Sequence, residues 1–208
     1  MQTHPHHERP CGWNALLPAR APRPHAEGTI RCAYAVVGAG FTGLAAARRW
    51  ALARPGDDVR VLDADLVGEG SPGRNSGFML EIALAEDADA GSLARMEEVN
   101  ALSRSAMAGL AGLVAQYGIA CGLAHRGTYR AAASPRGARA IEAYRRFLEG
   151  AGLRHERLDA DALSDRLGTR HYRVGLHSPD CWLVQPAALI RGLADALPEN
   201  VRLHERSA

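Results

Sequence analysis

Tyr34-Ala35-Val36-Val37-Gly38-Ala39-Gly40-Phe41-Thr42-Gly43-Leu44 is the stretch on which the fold turns. Its first four residues form a short apolar run that ends in glycine, as a buried parallel strand does before a tight turn. Small residues from Thr42 to about Arg54 read as a helix, stopped by Pro55-Gly56. Val59-Arg60-Val61-Leu62 then reads as a second strand. Strand, glycine turn, helix and strand in that order make a βαβ unit, so the class is α/β with a Rossmann-like parallel sheet.

Gly38-Ala39-Gly40-Phe41-Thr42-Gly43 fits G-x-G-x-x-G in the context that gives the pattern meaning. Gly38 permits the turn out of the strand. Gly40 has no side chain, so a pyrophosphate can come close to the backbone, and Gly43 lets the helix lie against the strand. The unpaired N–H groups and positive dipole end of that helix then face the phosphates. Asp63 stands twenty residues beyond Gly43, at the end of the second strand. Its carboxylate can accept hydrogen bonds from both hydroxyls of an adenosine ribose, and it would repel a 2′-phosphate. NADP is thereby excluded, and NAD or FAD remain. Asp65, two residues further on, reads as a solvated loop carboxylate.

Working outward, residues 68–77 are too rich in glycine for a helix interior. A long helix is expected over residues 89–117, with Leu93, Met96, Val99, Ser103, Ala106, Leu110, Leu113 and Tyr117 as its buried stripe. Residues 126–133 read as a strand, 136–149 as an amphipathic helix, and 160–167 as a short helix with Asp159 as N-cap and Gly168 at its end. Residues 172–178 are strand-like. Pro186 opens a helix that turns Leu189, Ile190, Leu193 and Leu197 inward, Pro198 stops it, and a last strand begins at Val201.

Composition narrows the function. The 208 residues carry a formal net charge of +2, too little to argue for a nucleic acid or a membrane surface as partner. All 25 basic residues are arginine, which excludes a Schiff-base or P-loop lysine from this chain. Cys11, Cys32, Cys121 and Cys181 form no C-x-x-C pair, so no zinc site or disulfide framework is read, and reduced thiols in the cytoplasm are expected. No stretch reaches the roughly 18–20 apolar residues of a membrane span. His4, His6 and His7 lie in residues 1–29, a polar stretch read as a flexible tail, with Trp13–Leu17 available to pin it to the body. No metal is expected.

These residues resemble the FAD-dependent amine and amino-acid oxidoreductases of the D-amino-acid oxidase superfamily. The likeness rests on residues 35–44, on Val61-Leu62-Asp63-Ala64, and on Val67-Gly68-Glu69-Gly70 leading into Gly73-Arg74-Asn75-Ser76-Gly77-Phe78. Leu183-Val184-Gln185-Pro186-Ala187-Ala188-Leu189 and the stretch from Trp13 to Pro18 extend it over nearly the whole chain. The resemblance implies FAD as cofactor. Its contacts would be Gly38, Ala39, Gly40, Phe41, Thr42, Gly43, Asp63 and Ala64, with Ser71, Arg74, Asn75, Ser76 and Gly77 near the pyrophosphate or the flavin ring. It also implies a divided architecture. Residues 30–118 would form the FAD-binding part with its long helix, residues 119–182 part of an inserted α+β substrate domain, and residues 183–208 a return helix and third strand of the nucleotide sheet. More than a hundred residues between Leu62 and Val201 agree with such an excursion.

The implied reaction is hydride transfer to flavin from the carbon beside the amine nitrogen of a small amine or amino acid. No catalytic residue is named, and His125, His155, His171 and His177 read as structural or surface histidines. Complete members run to roughly twice this length, so the C-terminal half of the fold is expected to be absent. An inactive fragment, or a half that needs a complementary chain, is therefore one alternative. An NAD-dependent dehydrogenase is another.

Overall fold

The computed structural model describes residues 7–80 and 93–208, with side chains from residue 98 onward in the second stretch. In chain order the elements are α1 (Gly12–Ala15), β1 (Tyr34–Val37), α2 (Phe41–Ala53), β2 (Val59–Leu62), β3 (Phe78–Met79) and α3 (Leu93–Tyr117). There follow β4 (Ala124–His125), β5 (Thr128–Ala132), α4 (Pro135–Gly150), β6 (Glu156–Asp159) and α5 (Ala160–Leu167). The last are β7 (Val174–Ser178), β8 (Trp182–Leu183), α6 (Pro186–Asp195) and β9 (Val201–His204). The chain divides into two compact units: residues up to Gly77 with Ala111–Leu123 and Val184–Ala208, and Phe78–Leu110 with Ala124–Leu183.

The first unit is built on a parallel sheet of order β1-β2-β9. Val59 and Val61, fully buried on the central strand, pack with Leu203 of β9 against Leu44, Ala47 and Ala51 of α2 and Ile190 and Ala194 of α6. A Val, Leu or Ile buried this completely stabilises the fold by about 1.5–3 kcal/mol. The small residues of α2 let it lie close to the sheet, and Pro186 at the first turn of α6 starts that helix where its missing N–H has no partner to lose. The α/β class and the return of residues 201–204 as the third parallel strand are as the sequence implies. Among the described residues β1 pairs only with β2, and Val37 at its end is 87% exposed.

The stretch read as a flexible tail is tied down from Cys11 onward. Glu205, fully buried at the end of β9, accepts hydrogen bonds from Arg20 Nη1 at 2.8 Å and from the backbone N–H groups of Arg23 and Val67, both at 2.7 Å. Ser207 Oγ accepts the N–H of Ala26 at 2.8 Å. Composition hides this, because polar and proline-rich residues are ordered here by hydrogen bonds and not by apolar burial. His4 and His6 lie outside the described residues.

The second unit holds two antiparallel sheets, β3-β8-β4 and β5-β7-β6. Helix α4 turns Ile141 and Leu148 onto Ala132 and Leu176 of the larger sheet. Ser134 caps it by accepting the Gly137 N–H at 3.1 Å, and Asp159 caps α5 by accepting the Ala162 N–H at 2.9 Å. Gly168 ends α5 in the left-handed region at φ 69°, as expected. Strands β3, β4 and β8, of two residues each, were too short to be legible in the sequence, and β6 carries no apolar run. In β6 the single buried residue, Leu158, is flanked by charge. The expected stripe of α3 is only partly buried: Val99, Ser103, Leu110 and Leu113 are intermediate, Ala106 and Tyr117 exposed, and among the described side chains of the helix only Asn100 is buried. Leu93 and Met96 are outside the described side chains, as are the expected helical residues 89–92.

Candidate functional site

The glycine turn sits between the C-terminal end of β1 and the first turn of α2. Gly38 adopts φ 96°, a conformation that L side chains rarely adopt, and its N–H donates to Leu62 O at 2.7 Å, which closes the turn onto β2. A Cβ at Gly43 would run into the carbonyl oxygen of Gly38, so helix and turn meet only because that position is bare. Ala39 is buried.

Gly40 is the N-cap residue of α2 and supplies no side-chain cap. The other helices of eight residues or more whose N-caps lie among the described residues, α4, α5 and α6, are each capped by a side chain: Ser134, Asp159 and Gln185. The first N–H groups of α2 are left to whatever lies in the cleft before them. That cleft, about 460 Å³, is lined by Val37, Gly38, Gly40, Phe41, Thr42, Gly43, Ser71, Pro72 and Asn75.

A second cleft of about 150 Å³ shares Gly40, Ser71 and Pro72 with the first and runs to Asp63, Ala64 and Asp65. Asp63 is held from two sides. Its Oδ2 accepts the Ala39 N–H at 2.7 Å and its Oδ1 accepts the Asp65 N–H at 3.0 Å. Its backbone completes the parallel ladder, donating to His204 O and accepting from Ser207 N, each at 2.8 Å. The carboxylate is therefore fixed in place, with lone pairs left over on each oxygen.

Ten of the thirteen residues expected at the site line these two clefts: Gly38, Ala39, Gly40, Phe41, Thr42, Gly43, Asp63, Ala64, Ser71 and Asn75. Arg74, Ser76 and Gly77 line neither. Arg74 turns away to donate to Glu69 O and Arg9 O, both at 2.6 Å. Gly77, at φ 76°, is pressed against Val184, whose carbonyl oxygen a Cβ there would strike. Its N–H is held by Asn75 Oδ1 at 2.8 Å. Asp65, read from the sequence as a solvated loop carboxylate, is half-buried and lines the second cleft, accepting the Leu66 N–H at 2.8 Å, and His7 and Pro72 line the clefts without having been singled out. For Asp65 the spacing Asp-Ala-Asp was a usable signal, since it puts both acids at one strand end; for His7 and Pro72 the sequence carries none. His125, His155, His171 and His177 belong to the second unit and line neither cleft.

A parallel βαβ unit with an uncapped helix start and a pinned acid at the end of its second strand defines a dinucleotide-binding α/β protein. The chain belongs to the DAO family of FAD dependent oxidoreductases, whose model matches residues 33–208. It is 42% identical over 65 residues to the probable oxidoreductase OrdL of Rhizobium meliloti, a match that covers 31% of this chain and 15% of that protein. Among solved structures it resembles glycine oxidase from Bacillus cereus, at 18% identity and a TM-score of 0.67, over 85% of this chain and 46% of that one. Glycine oxidase from Geobacillus kaustophilus gives 21% and 0.67, over 86% and 47%. The chain thus spans less than half the length of each of these three proteins. The cofactor of this family is FAD, and the bare turn, the free helix start and the anchored Asp63 fit its adenosine diphosphate portion.

Proposed function

We propose that this chain is the nucleotide-binding portion of an FAD-dependent oxidoreductase that oxidises the C–N bond of a small amine or amino acid. The observation that carries this reading is the pairing of an uncapped α2 start with the twice-anchored Asp63 across shared clefts. In this assignment the N–H groups at the start of α2 hold the pyrophosphate. Gly38 and Gly40 let it approach, and Asp63 accepts hydrogen bonds from the adenosine ribose. Ala39, Phe41, Thr42, Gly43 and Ala64 shape the same walls. Ser71, Asn75, Ser76 and Gly77 belong to the loop that faces the rest of the cofactor, with Arg74 bracing it from outside. FAD, when bound, supplies the hydride acceptor. The chain's own contribution is to orient and hold it.

Membership of an FAD-dependent family sets the NAD-dehydrogenase alternative aside. The amine or amino-acid substrate is supported by the glycine oxidases that share the fold, and a cytoplasmic setting by four cysteines in the thiol form, three of them buried. No described helix is long and apolar enough to cross a membrane.

The test is anaerobic mixing of the flavin-loaded chain with a panel of amines, amino acids and hydroxy compounds, followed in the flavin's visible absorbance. Bleaching by an amine or amino acid is the expected result. Bleaching by hydroxy compounds alone contradicts the substrate class. Tight FAD binding with no bleaching by any compound leaves a binding module that needs a complementary chain.

A further inference from the structure

We propose that Glu69 is a positioning residue for the cofactor cleft, acting through the N-terminal lead-in. The inference rests on the FAD assignment above and extends it to residues that line neither cleft. The Glu69 side chain is 13% exposed and lines neither cleft. Its Oε2 accepts the Cys11 N–H at 2.6 Å, and its Oε1 accepts Asn14 Nδ2 at 2.8 Å. The carboxylate thus joins the loop 68–77 to the start of α1.

Three further bonds tie the same two segments. Cys11 Sγ donates to Gly73 O at 3.1 Å, Trp13 Nε1 donates to Asn75 O at 2.7 Å, and Arg74 Nη2 donates to Arg9 O at 2.6 Å. Gly73 is buried, and a Cβ there would strike the carbonyl oxygen of Gly68 and come within 3.2 Å of Cys11 Sγ. The loop is therefore packed against the lead-in. Ser71, Pro72 and Asn75 on its other side form the wall that faces the start of α2. A loop this rich in glycine has little intrinsic preference for one shape, so the lead-in supplies the order. Glu69 is the member of the set that accepts two bonds, one from each end of the first turn of α1, with its charge strengthening both.

The test compares wild type, Glu69→Gln, and the double variant Asn14→Asp with Glu69→Gln. A glutamine at 69 keeps one acceptor for the Cys11 N–H, but its N–H2 can bond Asn14 only if that amide turns over to accept through Oδ1, which draws Nδ2 away from Val67 O and leaves the bond without its charge. An aspartate at 14 then restores it with donor and acceptor exchanged and the net charge unchanged. Two quantities are read on the 208-residue chain: amide hydrogen exchange over residues 70–77 without cofactor, and FAD affinity by fluorescence titration. For Glu69→Gln the expected result is local exchange faster by about tenfold, with the melting temperature nearly unchanged, and a Kd raised about five- to tenfold. The double variant should return both to within about twofold of wild type.

Unchanged exchange at 70–77 overturns the proposal. So does faster exchange with unaltered FAD affinity, and so does faster exchange throughout the chain, which marks a general loss of stability. Wild type that fails to bind FAD while exchange at 70–77 still responds to Glu69→Gln locates the failure in the cofactor assignment. Should Glu69→Gln not fold, Asn14→Ala removes one donor, keeps the carboxylate, and is read by the same two measurements.

Discussion

The carboxylate of Asp63 accepts the backbone N–H of Ala39 at 2.7 Å, joining the end of β2 to the middle of the glycine turn. One acid therefore fixes the turn and faces the cleft at once. Its other oxygen takes the Asp65 N–H, so the side chain has no freedom to leave the strand end.

Asp63→Ala strands the buried Ala39 N–H and the N–H of Asp65. Leaving a buried donor unmet costs about 1–3 kcal/mol, and urea unfolding should show a loss in that range. Asp63→Asn, which keeps acceptor capacity on one oxygen, should lose less. Equal stability in all three proteins would contradict the anchoring role.

Gly43→Ala places a methyl group against Gly38 O, where there is no room. Helix and turn must separate, at a cost of about 1–3 kcal/mol in unfolding free energy. Alanine's better helix propensity, worth up to about 1 kcal/mol, offsets only part of that. A more stable Gly43→Ala protein would show that the close approach is not obligatory.

Acid should weaken the first unit through Glu205. Burial pushes its carboxyl pKa up, but hydrogen bonds from Arg20 and from the N–H groups of Val67 and Arg23 outweigh it, so the pKa lies below the ordinary glutamate value. The stabilisation is then complete above the unfolded value of about 4.3, and disappears as pH falls through the folded value. Arg20→Ala, which leaves Glu205 buried without its cation, should cost about 3 kcal/mol at neutral pH and flatten this acid limb. A pH profile of melting temperature that is the same in both proteins would count against it.

In the second unit, Asp159→Ala removes the acceptor for the Ala162 N–H at the start of α5. The loss should be about 1 kcal/mol, measured by urea unfolding, with FAD affinity unaltered because the cap lies outside both clefts.

The parts of the fold that could be read ahead were those with a period or a punctuating residue. Apolar Val59 and Val61 marked β2, Pro186 marked α6, and Gly168 marked the end of α5, each through a local rule. The glycine turn and Asp63 were legible for the same reason, since their spacing is set by the βαβ unit itself. What stayed hidden depends on partners far along the chain. Glu205 and Arg20 are 185 residues apart, and nothing local distinguishes Glu205 from a surface acid. Glu69 and Cys11 meet across 58 residues, and Arg74, which has the look of a cofactor contact in sequence, is drawn away by the carbonyls of Glu69 and Arg9.

The most direct test of the dinucleotide site is calorimetric titration of the purified chain with FAD and with NAD, beside Asp63→Ala. The account predicts that FAD binds with one site per chain, that NAD binds far more weakly, and that Asp63→Ala weakens FAD by about tenfold or more, the worth of one or two hydrogen bonds to a charged acceptor. FAD affinity that is absent in wild type, or identical in wild type and Asp63→Ala, would contradict it.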